Sequence, residues 1–279
     1  MDNLKFDDQS TRDAVQDEMH FYFANGGRTV LELTTFGRDL EYLKQVSKQS
    51  KVNIVAGAGF YVNYGLPSST LKLTVEQIYD HMTKELTGPA PCGIIGEIGS
   101  GVPIHEFERK CLLAAGQLSE QYPTLPVNIH PGREKSMPYE TLRQFMESGG
   151  RKENLIMSHL DRTLMDKESL LEFAKQGCVC ELDLFGIETT HYELKDDLNF
   201  IGDATRIDCL RWLIDDGHLE NIVISQDIHT KHRLVKFSFS CLFLEILNHT
   251  FSFFGLQMKF GGHGYSHILM NVGFNFVFI

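Results

Sequence analysis

Cysteine pairs at C-x-x-C spacing are missing from this chain: Cys92, Cys111, Cys178, Cys180, Cys209 and Cys241 lie scattered among apolar residues. That argues against a disulfide framework or a paired-thiol metal knuckle and predicts reduced core thiols in a cytoplasmic protein. Positive charge is scarce as well. With 26 Lys and Arg against 37 Asp and Glu, a formal net charge of -11, the surface is unsuited to nucleic acid, whose binding rests on basic side chains neutralising phosphate. The opening stretch MDNLKFDDQSTRD has neither the basic start nor the apolar run of a signal peptide, so secretion is not expected. A dinucleotide fingerprint is missing too. Gly57 and Gly59 are followed by Val62 where G-x-G-x-x-G needs its third glycine, and Gly96, Gly99 and Gly101 stand in the wrong order. Both groups read as close-packed turns of a barrel.

What is present is a regular beat. At 279 residues and 42% hydrophobic, the chain can bury one large core, and α/β barrels occupy this length as one domain, here residues 1–279. It opens on a helix over 10–18 that Ser10 or Thr11 can cap. Strand-like runs follow at 29–35, 53–61, 92–100, 126–132, 155–161, 178–186 and 222–228, with helical segments between them. Seven strands separated by crossovers of βα length predict a parallel (β/α) barrel. A doubly wound open sheet is the rival, and it would offer a glycine phosphate loop at its switch point.

Four of these runs close on a residue type that binds metal: Glu97 in CGIIGEIGS, His130 in PVNIHPG, His159 in LIMSHLD and Asp227 in IVISQDI. Packing alone gives no reason for that repetition. Glu97 to His130 is 33 residues and His130 to His159 is 29, near the length of one βα unit, so equivalent strand ends carry successive ligands. In such a barrel the C-terminal strand ends face the loops where active sites form. The pattern predicts a metal site at that mouth.

The ordered set CGIIGEIGSG, PVNIHPGR, LIMSHLDRT, CVCELDLFG, IVISQDIHTKHRL and GGHGYSHIL resembles the phosphotriesterase-related proteins of the amidohydrolase superfamily, over most of 1–236 and again from about 260. The resemblance implies a (β/α)₈ barrel with two divalent metals, usually zinc, that share a hydroxide. It places the bridging acid on Glu97, the strand-five and strand-six histidines on His130 and His159, and the strand-eight aspartate, the proton acceptor, on Asp227. It also implies a small-molecule substrate: small N-acyl amides, N-acetyltaurine and N-acetyl amino acids among them.

Two departures qualify it. The family begins on a strand ending in His-x-His, two ligands of the buried metal, and no such pair occurs here before Glu97; His20 and His81, the only earlier histidines, fall in helices. With seven strands counted where eight close a barrel, the expectation is a fold lacking the first strand and holding one zinc or none. The second departure is a hydrophobic block, 238–260, that reads as an insertion near strand eight, with Glu245, Asn248 and His249 making it a poor membrane helix.

Further candidates surround these ligands. Tyr61 and Arg133 lie just past strands and could meet an anionic head group, or form ordinary surface contacts. Asp183 could line the pocket or cap a neighbouring loop. His229, His232, His263 and His267 could contact substrate or be plain loop histidines. Two classes of function follow: a zinc-dependent hydrolase of N-acyl amides, impaired in this form, and an inactive splice form acting as a binding protein, with phosphotriesterase or lactonase chemistry as a variant of the first. The oligomeric state is not legible.

Overall fold

A computed structural model describes residues 5–189, 191–192, 195–237 and the backbone of 275–276. The block 238–260, Cys241, His263 and His267 lie outside the described residues.

The chain alternates helix and strand from its start. Helix α1 (Gln9–Ala24) is followed by β1 (Thr29–Glu32), α2 (Leu40–Ser50), β2 (Asn53–Phe60), α3 (Val75–Thr87), β3 (Ile94–Gly99), α4 (Glu106–Gln121), β4 (Val127–His130) and α5 (Met137–Glu147). Then come β5 (Leu155–Met157), a short α6 (Leu160–Thr163), α7 (Lys167–Ala174), β6 (Val179–Leu182), α8 (Asp203–Asp215) and β7 (Ile222–Ile224). Local chemistry fixes the helix starts. Thr74 and Gln77 form a reciprocal capping box on α3, Asp166 caps α7, and His105 with Glu108 closes the start of α4. The first helix is capped by Asp8, whose carboxylate accepts the Thr11 amide at 2.9 Å, instead of by Ser10 or Thr11. An ionised oxygen is the stronger acceptor, and the Thr11 hydroxyl is spent donating to it.

Each strand pairs in parallel with the next in sequence, from β1 to β7. That order has no reversal and hence no switch point, which separates an α/β barrel-like sheet from a doubly wound one. An eighth strand, β8 (Asn275–Phe276), pairs with β1 through Leu31↔Asn275 and Glu32↔Phe276. The free edge of β1 is thus partly covered; an unpaired row of amides and carbonyls takes up an extended segment within reach.

Outside the sheet, Ile95, Ile98, Val127, Ile129, Leu155 and Met157 pack against α3, α4, α5 and α7 in one large apolar layer. The chain's opening helix adds a smaller cluster in which Ala14, Val15 and Met19 meet Val30, Val52 and Leu234. Inside, the lumen is polar. Asn128 and Ser158 both donate to the Glu181 carboxylate, at 3.1 and 2.7 Å, and burial raises the Glu181 pKa well above the carboxylate range. The five described cysteines are free and buried.

The glycines singled out in the sequence lie within strands more than in turns. A Cβ on Gly57 would strike the Gly96 carbonyl, and one on Gly96, whose φ is 129°, would lie 2.6 Å from the Asn128 carbonyl. They permit close approach of β2, β3 and β4. Both ladders of β3 slip register around Gly96 and Glu97, a bulge that re-aims the side chain following it.

One buried ion pair ties the far side together. Arg206 of α8, fully buried, donates to Asp161 at 3.0 Å and to Asp203 at 2.7 Å, while the same Asp161 oxygen accepts the Leu184 amide at 2.9 Å. Removing only the cation leaves the buried Asp161 charge with the Leu184 amide but no counter-charge, so Arg206→Met is expected to cost about 3–5 kcal/mol in chemical denaturation. The double variant with Asp161→Leu is expected to cost less than Arg206→Met alone; a larger loss would contradict the pairing.

Candidate metal centre at the mouth of the barrel

Three consecutive strands bring their ends to one point. Glu97 comes from the slipped section of β3, His130 is the last residue of β4, and His159 stands two residues past β5. Their ligand atoms all lie within 4.8 Å of one another, and all three residues are buried. His130 Nδ1 is 3.1 Å from Glu97 Oε1 and 2.7 Å from His159 Nε2, with 3.8 Å closing the triangle.

The neighbours fix the proton positions. Asp183 takes the His159 amide at 2.9 Å on one oxygen and faces Nδ1 at 2.8 Å with the other, so Nδ1 carries the proton and Nε2 turns its lone pair inward. Arg162, which can only donate, lies 3.0 Å from His130 Nε2. His130 therefore holds its proton on Nδ1, between two acceptors. A cation would take the place of that proton. Ligands at about 2.0–2.1 Å from a tetrahedral zinc stand roughly 3.3 Å apart, and the three separations bracket that value. Cation binding at Nδ1 would put the imidazole proton on Nε2, facing a guanidinium that cannot accept it, so it excludes the Arg162 contact.

The electrostatics follow burial. Desolvation holds both imidazoles below their ordinary range, His130 furthest, where His159 and Arg162 add to it. Burial raises Glu97, with Asp227 adding to it and His159 opposing it. Neutral imidazoles beside an acid are the forms that bind metal.

The other residues expected at the site are placed as follows. Asp227 lies half-buried beside it in a left-handed conformation, φ 46°, and His159 shares that conformation at φ 57°. Each such non-glycine residue stores strain of order 1–3 kcal/mol, a cost concentrated at functional sites. Asp227 does not join the group of three; its carboxylate meets His229 Nδ1 at 3.2 Å. Burial pushes its pKa up, but His229 outweighs this and holds it well below the carboxylate range. Tyr61 sets its ring edge-on to His130, centroids 4.9 Å apart. Arg133 donates to the Tyr192 hydroxyl at 2.6 Å. Asp183 grips His159 instead of opening to a pocket. His232 is exposed, and His20 and His81 lie on α1 and α3 away from the centre. Two residues at the site were not singled out from the sequence: Arg162 and Tyr192. Arg162 stands in the SHLDRT run beside His159, and its place after a strand-end ligand was the available signal.

No helix of the described residues is long and apolar enough to cross a membrane. Over residues 2–252 the chain matches the Phosphotriesterase family, and the match continues through 238–252, the first part of the block set apart in the sequence. It is 40% identical over 278 residues to the N-acetyltaurine hydrolase of Homo sapiens, covering 97% of this chain and 72% of that one. A phosphotriesterase-related protein of Drosophila willistoni is 38% identical over 280 residues, at 97% and 73% coverage. Among solved structures, a resiniferatoxin-binding protein from Rhodobacter sphaeroides superposes with a TM-score of 0.83 at 24% identity, covering 97% of this chain and 74% of that chain. The phosphotriesterase homology protein from Escherichia coli, crystallised with phosphate in its active site, gives 0.74 at 22% identity, covering 94% and 86%. At these identities the superpositions speak for the fold.

Because Asp183 fixes the His159 tautomer, Asp183→Asn is expected to weaken zinc binding roughly 10- to 100-fold. Competition against a chromogenic chelator measures it. An unchanged affinity would mean that His159 is not a ligand through Nε2.

Proposed function

We infer that the chain, which belongs to the phosphotriesterase family, is a zinc-dependent hydrolase of small N-acyl amides, N-acetyltaurine and N-acetyl amino acids among its substrates. The observation that carries this reading is the convergence of Glu97, His130 and His159 on one buried point at the mouth of the sheet. Those three would hold the ion. When bound, it supplies Lewis-acid polarisation of an acyl carbonyl and acidifies a water.

The chain's own residues do the remaining work. Asp183 keeps His159 in the tautomer that presents Nε2. Asp227 is held ionised by His229, and ionised is the form in which it can accept a proton from the attacking water. Tyr61 walls the site against His130. The chain's 12 histidines include no His-x-His pair, so one ion is proposed where the family resemblance implies two, and turnover is expected to be low. A second reading, a binding protein without turnover, is favoured by one feature: the Asp227 carboxylate is engaged by His229 and stands outside the group of three.

Turnover of N-acetyltaurine and N-acetylglycine by the zinc-loaded chain separates the two. Low but measurable hydrolysis is expected, lost on chelation, with Asp227→Asn lowering kcat by about 10²- to 10⁴-fold. Binding of zinc with no hydrolysis would leave the binding-protein reading; full activity of Asp227→Asn would remove Asp227 from the chemistry.

A further inference from the structure

We propose that Arg133 and Arg162, joined through the phenol of Tyr192, form a seat for the anionic end of the substrate, a carboxylate or a sulfonate, beside the three ion-binding residues. The inference rests on the hydrolase reading and adds the residues that would select the anionic end of such substrates.

Arg162 is only 3% exposed, yet among the described residues no carboxylate lies within ion-pair distance of it. That is unusual, since a buried arginine is almost always paired. Arg206 in the same fold meets the rule, with Asp161 and Asp203 both on it. Arg162 instead spends its donors on neutral acceptors: the Pro131 carbonyl at 3.1 Å, His130 Nε2 at 3.0 Å and the Tyr192 hydroxyl at a long 3.3 Å. Its Nε is buried with no hydrogen-bond partner. A planar fork of donors lacking an anion matches a carboxylate or sulfonate in geometry as well as charge.

Arg133 approaches the same phenol from the opening. Its Nε donates to Tyr192 at 2.6 Å, its guanidinium lies 5.4 Å from the centre of the Tyr192 ring, and no carboxylate among the described residues pairs with it. Two guanidiniums sharing one phenol oxygen repel each other by an amount of order 1–4 kcal/mol near the surface. An anion between them would reverse the sign of that term. Cation binding at His130 Nδ1 also removes the acceptor that Arg162 uses at Nε2, which releases one more donor for the substrate.

The test is calorimetric titration of the full zinc-loaded chain, in an Asp227→Asn background where turnover does not consume ligand, with N-acetylglycine, N-acetyltaurine and uncharged N-acetylglycinamide. The two anions are expected to bind roughly tenfold or more tighter than the neutral amide. Arg133→Gln should erase that ratio and Arg133→Lys keep part of it; comparison of the two anions tells carboxylate from sulfonate. Arg133 is half-buried, so its variants fold even if Arg162→Gln does not. Equal binding of neutral and anionic ligands, or a ratio that survives Arg133→Gln, overturns the seat. Failure of the hydrolase reading looks different: no turnover by the unmutated chain, with the charge preference intact.

Discussion

A carboxylate buried at the end of β3 sets the terms for the rest of the site. Glu97 is 3% exposed, and an unpaired acid in that position would be protonated or unfavourable by several kcal/mol. The surrounding residues each answer that cost. His130 and His159 bring polar hydrogens or lone pairs to within hydrogen-bonding range, and Asp183 locks His159 from behind. A cation at the centre would satisfy all three ligand atoms together and release Arg162 from His130 Nε2.

The framework holds these side chains by double fastening. β5 and β6 are tied twice just beyond their ends: His159 to Asp183, and Asp161 to the Leu184 amide. Arg206 then anchors Asp161 to α8. On the other flank, Gly57 and Gly96 let β2, β3 and β4 approach closely enough for the register slip that turns Glu97 inward. A ligand set presented by three adjacent strands thus inherits the rigidity of the sheet.

Much of this was legible in the sequence, for physical reasons. Buried parallel strands read as apolar runs, and the seven runs from 29–35 to 222–228 contain β1 to β7, whereas β8 lies outside them. A polar residue ending such a run has little packing rationale, which is why Glu97, His130 and His159 stood out. Asp227 stood out equally, yet its carboxylate turns to His229, a choice between neighbours that no periodicity encodes. Arg162 and Tyr192 escaped notice because their importance arises from contacts 30 and more residues distant. Asp8 was missed as a cap because Ser10 and Thr11 offered the same chemistry nearby, and ionisation decides between them.

One ion is expected to sit among Glu97, His130 and His159. Crystals of the chain grown with zinc and measured at the zinc absorption edge test it directly. A single anomalous peak is expected within bonding distance of Glu97 Oε1, His130 Nδ1 and His159 Nε2, with Arg162 withdrawn from His130 Nε2. Two peaks of equal strength, or one peak bound elsewhere with the His130 to Arg162 contact intact, would contradict it.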